Sequence, residues 1–136
     1  MHILDTNVLA ELRTNKPNPS QAVRSWASQQ PLHQLYLSAI TAMELEVGVR
    51  RMERRAPAQG AHLRIWADQA LAQFQDRILP VTAEIALLCA GLHVPHPKSL
   101  ADSLIAATAL AHGFTVVTRN VSDYAGTGVA ICNPWE

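Results

Sequence analysis

Cysteine, long apolar runs and an excess of either charge are all missing or scarce in this chain of 136 residues. The two cysteines, Cys89 and Cys132, are far apart and flanked by apolar residues, which favours buried free thiols in a reducing compartment over a disulfide or a metal site. No segment approaches the roughly 20 apolar residues of a membrane-spanning helix. Asp5 interrupts the first apolar run too early for a signal peptide. We therefore expect a cytoplasmic location and no membrane partner.

The charge balance and the aromatic content narrow the possible partners further. Because 11 basic residues balance 11 acidic ones, broad attraction to polyanions is excluded, although a local basic patch can still bind phosphate. Aromatic residues make up 5% of the chain, too few for an extensive base-stacking platform. What is abundant is apolar: 49% of the residues are hydrophobic, enough for the core of one compact domain over residues 1–136.

Short apolar segments alternate with segments of helical periodicity along the chain. Pro57 and Gly60 are expected to break the chain before the fourth helix, whose residues Leu63 to Phe74 share one apolar face. The alternation predicts an α/β fold with a parallel sheet covered by helices. The predicted strands cover residues 2–5, 35–38, 78–81, 114–118 and 129–132, and the predicted helices cover 8–12, 20–26, 39–55, 63–74, 82–92 and 102–112.

Four acidic residues stand out because of their positions. Asp5 ends the first predicted strand, and Asp123 follows the fourth by five residues. Glu44 falls on the helical face that carries Met43 and Val47, and Asp102 begins an apolar helical stripe. Because ligands of open parallel sheets collect at the carboxyl ends of the strands, we expect the four acids to converge there.

Each acid also has an ordinary structural explanation. Asp5 can form an Asx-turn or cap the next helix, Asp102 can complement a helix dipole, Glu44 can reach water from the edge of its face, and Asp123 can be a loop acid. Together, however, four converging carboxylates would repel one another and raise one another's pKa unless a cation were present. Oxygen-only ligands favour Mg²⁺ or Mn²⁺ over Zn²⁺.

At these same residues the chain resembles the PIN domains, specifically the VapC/FitB type of bacterial toxin. Each motif is weak alone, but the four occur in the family's order and span nearly the whole chain, and residues 129–135 resemble the family's last strand and tail. The motifs are Leu4-Asp5-Thr6-Asn7-Val8-Leu9, Glu44-Leu45-x-x-Gly48, Asp102-Ser103-Leu104-Ile105-Ala106-Ala107-Thr108-Ala109 and Thr118-Arg119-Asn120-x-x-Asp123-Tyr124.

The resemblance implies a three-layer α/β/α fold with a helical hairpin, and a Mg²⁺- or Mn²⁺-dependent endoribonuclease. It also implies a homodimer and inhibition by a cognate, DNA-binding antitoxin of the VapB/FitA type, which lays a basic residue into the acidic site. The apolar face from Leu63 to Phe74 either buries itself or offers a groove to this antitoxin. The resemblance assigns the catalytic and metal-binding roles to Asp5, Glu44, Asp102 and Asp123. It implies that the carboxylates are oriented by Thr6, Asn7, Thr118 and Asn120.

Candidate RNA contacts are basic. The arginines at the end of the helix that contains Glu44 could bind RNA, and they equally suit a solvated C-terminal turn, where cations complement the helix dipole. The full candidate set is Arg50, Arg51, Arg54, Arg55, Lys98 and Arg119. The segment before Asp102 departs from the family's pattern, because His93 and His96 stand where a Gly-rich loop is expected. These histidines could bind metal or shuttle protons, and the plainer interpretation is a Pro-stiffened surface loop.

Other functions fit the sequence less well. A haloacid-dehalogenase-like phosphotransferase needs a second acid two residues after the first, where this chain has Asn7. A response-regulator receiver needs an acidic pair after its first strand, which is also missing. No Ser–His–Asp or Cys–His set is evident, so a covalent intermediate is not expected. A non-catalytic subunit that dimerises a DNA-binding antitoxin stays open, and it predicts complex formation without nuclease activity.

Overall fold

A five-stranded sheet in the order β3-β2-β1-β4-β5 forms the centre of the computed structural model, which describes residues 1–136. All four strand pairs are parallel, which confirms the predicted α/β fold. The strands are β1 His2–Leu4, β2 Leu35–Ser38, β3 Ile78–Leu79, β4 Thr115–Val117 and β5 Ile131–Cys132. The helices are α1 Thr6–Glu11, α2 Gln21–Ser28, α3 Ala39–Arg55, α4 Pro57–Gln73, α5 Ala83–Leu92 and α6 Leu100–His112.

The strand order places a topological switch point beside β1. The chain runs outward from β1 through β2 to β3, and then returns to the other side of β1 to form β4 and β5. In the registers of the central pairs, Ile3 lies opposite Tyr36 and Val116. Crevices that bind ligands form outside the carboxyl ends of the strands at such a point. Residue 5 and residue 118 therefore lie where a site is expected.

Helices cover both faces of the sheet, which gives the three layers that the resemblance implied. One core joins Leu4 and Leu37 of the sheet to residues of α1, α2 and α3, such as Val8 and Val23, with Phe74 at the end of α4. The other core joins Ile3 and Val116 to Ile105, Ala106 and Ala109 of α6. A third, smaller cluster packs α5 onto α6 through Ile85, Cys89 and Ala107. The sheet is thus buried on both faces, as parallel sheets usually are.

The helices α3 and α4 form the predicted hairpin, but the predicted break at Gly60 is wrong. Pro57 begins α4, as its fixed φ allows, whereas Gly60 lies buried inside that helix. A Cβ atom on Gly60 would lie 2.6 Å from the backbone nitrogen of Glu53 in α3. The glycine therefore permits close helix packing rather than a turn. Arg64 of α4 ties the pair further, through Glu46 at 2.7 Å and Glu53 at 3.0 Å.

Several element boundaries differ from the predicted ones. The strand at residues 78–81 stops at Leu79, and α6 begins at Leu100, two residues before Asp102. Ser20 caps α2 by accepting a hydrogen bond from the backbone N–H of Val23, and Gly113 ends α6 with a φ of 69°. Both cysteines are free thiols. None of the helices is both long and apolar enough to cross a membrane.

Candidate active site

Asp5 lies at the centre of the site, at the carboxyl end of β1. Its backbone N–H donates to the carbonyl of Val117, which continues the β1–β4 pairing by one residue. The side chain is 5% exposed, and both carboxylate oxygens accept hydrogen bonds. Oδ1 accepts from the backbone N–H of Thr6 at 2.8 Å, so Asp5 does cap α1. Oδ2 accepts from the Thr118 hydroxyl at 2.8 Å and from the Asn7 amide at 3.3 Å.

The neighbouring polar residues form one network around Asp5. The buried Thr118 hydroxyl also accepts a hydrogen bond from the backbone N–H of Asn120 at 3.0 Å. The side-chain oxygen of Asn7 accepts one from the backbone N–H of Arg119 at 3.3 Å. Side-chain hydrogen bonds consequently join the start of α1 to the residues that follow β4, at the carboxyl end of the sheet. Three of the four residues that the resemblance named for orientation thus contact one another here, and their effect on catalysis stays a prediction.

Glu44 reaches the same edge from α3. Its Oε1 accepts a hydrogen bond of 2.6 Å from the Thr6 hydroxyl, which links it to the start of α1. The predicted reason for its position is wrong, however. Met43 and Val47 are 51% and 38% exposed, and the buried face of α3 consists of Thr41, Leu45 and Val49. Glu44 therefore stands at the boundary between the exposed and buried faces, where a carboxylate can meet both the network and solvent.

Asp102 lies in the first turn of α6, half-buried. Burial raises its pKa, and the charges of Asp5, Asp123 and Glu44 raise it further, whereas a hydrogen bond with the Ser99 side chain opposes the shift. Asp102 is therefore close enough to the other three acids for their charges to act on it. Fewer hydrogen-bond donors surround Asp102 than Asp5, so less stabilisation of the charged form offsets the raised pKa of Asp102.

Asp123 completes the set from the short 3₁₀ helix Val121–Tyr124 after β4. It is exposed, and only its backbone N–H is bonded, to the carbonyl of Asn120 at 3.1 Å. In the structure no three acidic, histidine or cysteine side chains are close enough together to enclose an ion. The donor chemistry nevertheless fits a hard divalent cation, since the facing side chains are oxygen ligands with mutually unfavourable charges.

A family model and full-length relatives identify the family of this chain. The family described as "PIN domain" matches residues 2–122. The chain belongs to the PIN-domain family. The matched span holds Asp5, Glu44 and Asp102 and ends one residue before Asp123.

This PIN domain is similar over its whole length to a protein named as a ribonuclease and to solved structures that include a toxin-antitoxin complex. It is 39% identical to "VapC ribonuclease Y4jK" of Sinorhizobium fredii, over 100% of this chain and 99% of that protein. Its structure matches that of FitAcB from Neisseria gonorrhoeae with a TM-score of 0.90 and 34% identity, covering 100% and 99% of the two chains. It also matches a toxin-antitoxin complex from Klebsiella pneumoniae, with a TM-score of 0.75, 27% identity and the same coverage.

Sequence reasoning gave no role to Tyr124, which the structure of this PIN domain places beside the acids. Its side chain is 3% exposed, and its hydroxyl is buried without a hydrogen-bond partner. Burial raises the pKa of Tyr124, and the charges of Asp5 and Asp102 raise it further, so the phenol stays protonated. The only signal in the sequence was its position directly after Asp123.

The basic candidates differ in their surroundings. Arg50 is paired with Glu46, one helical turn before it, at 2.6 Å. Lys98 donates to the carbonyl of Ala125 at 3.1 Å, close to the Asp123 segment. Arg51, Arg54 and Arg55 are exposed and form no ion pair, and the helical rise places this end of α3 roughly 9–17 Å farther along the axis than Glu44. Their contact with RNA stays a prediction.

Proposed function

We propose that this chain is the toxin of a type II toxin–antitoxin pair and hydrolyses RNA phosphodiester bonds with the help of Mg²⁺ or Mn²⁺. The observation that supports the proposal most is the raised pKa of Asp102, which burial causes first and the charges of Asp5, Asp123 and Glu44 increase further. The ribonuclease name of a full-length relative supports the substrate class. The cytoplasmic location and the homodimer expected from the sequence are part of the same proposal.

The residues of the chain supply binding and orientation. Asp5, Glu44, Asp102 and Asp123 would hold the cation. A bound divalent ion would supply Lewis-acid chemistry, which activates water and stabilises the charge that develops on the phosphate. Thr118 and Thr6 fix the carboxylates of Asp5 and Glu44 through hydrogen bonds of 2.8 and 2.6 Å. The backbone of Arg119 bonds the Asn7 side chain, and Lys98 bonds the carbonyl of Ala125 two residues after Asp123, so either cation could neutralise the RNA backbone.

Replacement of single acids tests the proposed activity. We expect Asp5→Asn and Asp102→Asn to lose Mg²⁺-dependent cleavage of total RNA while they keep the native circular dichroism, because asparagine also caps helices. The matched control is Glu84→Gln, which removes an exposed acid from the start of α5. Titration of Mn²⁺ by calorimetry gives a second readout. Full cleavage by both aspartate variants, or no cleavage by the native protein while it still forms a complex with its antitoxin, would contradict the proposal.

The cleaved RNA can be found by a comparison inside the cell. Brief induction of the native chain and of Asp5→Asn, followed by sequencing of RNA 5′ ends, should show ends that occur only with the native chain. Sites that occur equally with both chains would come from other nucleases.

A groove beside the acids is the proposed site of the antitoxin. A cavity of about 220 Å³ runs from Thr6 and Glu44 to Arg13, and it joins a wider cleft of about 630 Å³ beside Trp66 in the helical hairpin. The toxin–antitoxin complex among the similar structures supports a protein partner. An extended antitoxin segment in this groove would bring a basic side chain towards Glu44 and block the site.

The groove is tested by a substitution that spares the acids. Ile65 lines the wider cleft and is 58% exposed, so Ile65→Glu should fold normally. We expect this variant to cleave RNA and to escape inhibition by the antitoxin. The control is Leu32→Glu, which places the same change on an exposed residue before β2. Normal inhibition of Ile65→Glu would exclude the cleft as the antitoxin site.

A further inference from the structure

A cation–π pair lies at the same sheet edge as the acids. Arg119 follows Thr118 at the carboxyl end of β4, and Trp135 follows β5 by three residues. The guanidinium carbon of Arg119 lies 5.3 Å from the centroid of the Trp135 ring, within the range of a cation–π contact. Because β4 and β5 are parallel neighbours, both residues leave the sheet on the side where Asp5 ends β1.

The pair is connected to Asp5 through the hydrogen-bond network. The backbone N–H of Arg119 donates to the Asn7 side-chain oxygen, and the Asn7 amide donates to Asp5 Oδ2, each at 3.3 Å. The position of Arg119 is thus fixed two hydrogen bonds away from the central carboxylate. A nucleotide next to a phosphate held at Asp5 would lie within reach of this pair.

The ring is fixed while the guanidinium is free. Trp135 is half-buried and packs against the core that contains α1, which fixes its ring. Arg119 is exposed and takes part in none of the five ion pairs of the chain. The tail therefore presents a rigid aromatic ring with an unpaired, planar cation on it.

A planar cation held on an indole suits a nucleobase. Bases splayed out of single-stranded RNA stack on aromatic rings and on arginine guanidinium planes, and the N–H groups of the guanidinium remain able to bind phosphate. Resting on the proposed ribonuclease function, we propose that Arg119 and Trp135 form a subsite for one base of the RNA, next to the cleaved phosphodiester. The base stacks on the outer face of the guanidinium, and the indole supports it from beneath.

Paired ligands separate stacking from simple phosphate binding. The probes are a fluorescein-labelled oligouridylate of about 12 nucleotides and an abasic strand with the same phosphates and ribose, both measured by anisotropy in the cleavage-deficient Asp102→Asn background. Base stacking on a protein typically changes affinity by about 5- to 150-fold. We expect the Asp102→Asn chain to prefer the base-bearing strand by a factor in this range.

Four further substitutions in that background locate the preference. Arg119→Gln and Trp135→Leu should lower the preference to less than about twofold, and Arg119→Lys should lose it while keeping its affinity for the abasic strand. Trp135→Phe should retain it, because an aromatic ring remains beneath the guanidinium. The control Trp26→Phe changes a tryptophan that packs edge-on against His2 at the other end of β1, and it should retain the full preference.

The readings that overturn the inference differ from those that overturn the ribonuclease proposal. If Arg119→Gln and Trp135→Leu weaken both strands by the same factor, the pair binds phosphate or supports the fold and is not a base subsite. If both variants keep the base preference but bind the antitoxin more weakly, the pair is a protein contact, and the inference fails as well. The ribonuclease proposal depends instead on cleavage by the native chain and its loss in Asp5→Asn.

Discussion

Two glycines of the helical hairpin lead to opposite stability predictions. A Cβ atom on Gly60 would lie 2.6 Å from the backbone nitrogen of Glu53, and still closer to its Cα atom, whereas a Cβ atom on Gly48 would meet nothing within 4 Å. Alanine is favoured over glycine inside a helix by roughly 1 kcal/mol. Helix propensity alone therefore predicts that alanine stabilises the fold at both positions.

The structure gives the magnitude of the difference. Non-bonded carbon atoms rest about 3.5–4.0 Å apart, so Gly60→Ala must push the backbones of α3 and α4 apart by about 1 Å. Overpacking costs up to about 3 kcal/mol, and a clash with backbone atoms belongs at that end of the range because a backbone cannot change rotamer. After the gain in propensity, we expect Gly60→Ala to lower the free energy of unfolding by about 2 kcal/mol. Gly48→Ala should raise it by about 0.5–1 kcal/mol.

Urea titration followed by circular dichroism measures both changes, and thermal melting gives a second value. For a chain of this size, about 4 °C of melting temperature corresponds to 1 kcal/mol, so Gly60→Ala should melt about 8 °C below the native chain. Gly48→Ala is the matched control, since it makes the same chemical change in the partner helix. An equal stabilisation by both substitutions would refute the close contact of α4 with α3.

Three further predictions concern charge and hydrogen bonding. Arg64, and to a lesser extent Arg50, lower the pKa of Glu46 from 4.5 to about 2, so its ion pairs stabilise the fold fully above pH 4.5 and lose this effect as the pH falls through 2; Glu46→Gln should lower the urea midpoint clearly at pH 7 and much less at pH 2.5. Burial and the neighbouring acids raise the pKa of Asp102, so its charge destabilises the metal-free fold at neutral pH; Asp102→Asn should raise the metal-free melting temperature, and a decrease would contradict this assignment. Thr118→Val keeps the shape but removes the hydroxyl that bonds Asp5; urea titration should show a loss of about 1–3 kcal/mol, and an unchanged midpoint would argue against that bond.

The parts of the site that follow from local chemistry could be predicted from the sequence. Asp5 directly follows an apolar strand and directly precedes α1, so it caps that helix and lies at the switch point beside β1. The face of α3 could not be predicted in this way, because the buried position 41 is a threonine while Met43 is 51% exposed. Side-chain polarity therefore gave the wrong helical phase. The role of Gly60 depends on a contact with Glu53 in another helix, which no local pattern contains.

The loop before Asp102, where the chain departs from the family's pattern, is explained by the hydrogen bonds of His93. Its Nδ1 accepts from the backbone N–H of Lys98 at 3.4 Å, so its Nε2 carries the proton and donates to the Ser103 hydroxyl at 2.8 Å. The Ser103 hydroxyl in turn donates a hydrogen bond of 2.9 Å to the carbonyl of Leu100. Both ring nitrogens are thus used inside the loop, which favours a scaffold role over metal binding. The loop in turn carries Lys98, whose ammonium bonds the carbonyl of Ala125 at 3.1 Å, two residues after Asp123. His93 therefore ties this loop to the start of α6, which carries Asp102, and Lys98 ties the same loop to the segment that carries Asp123.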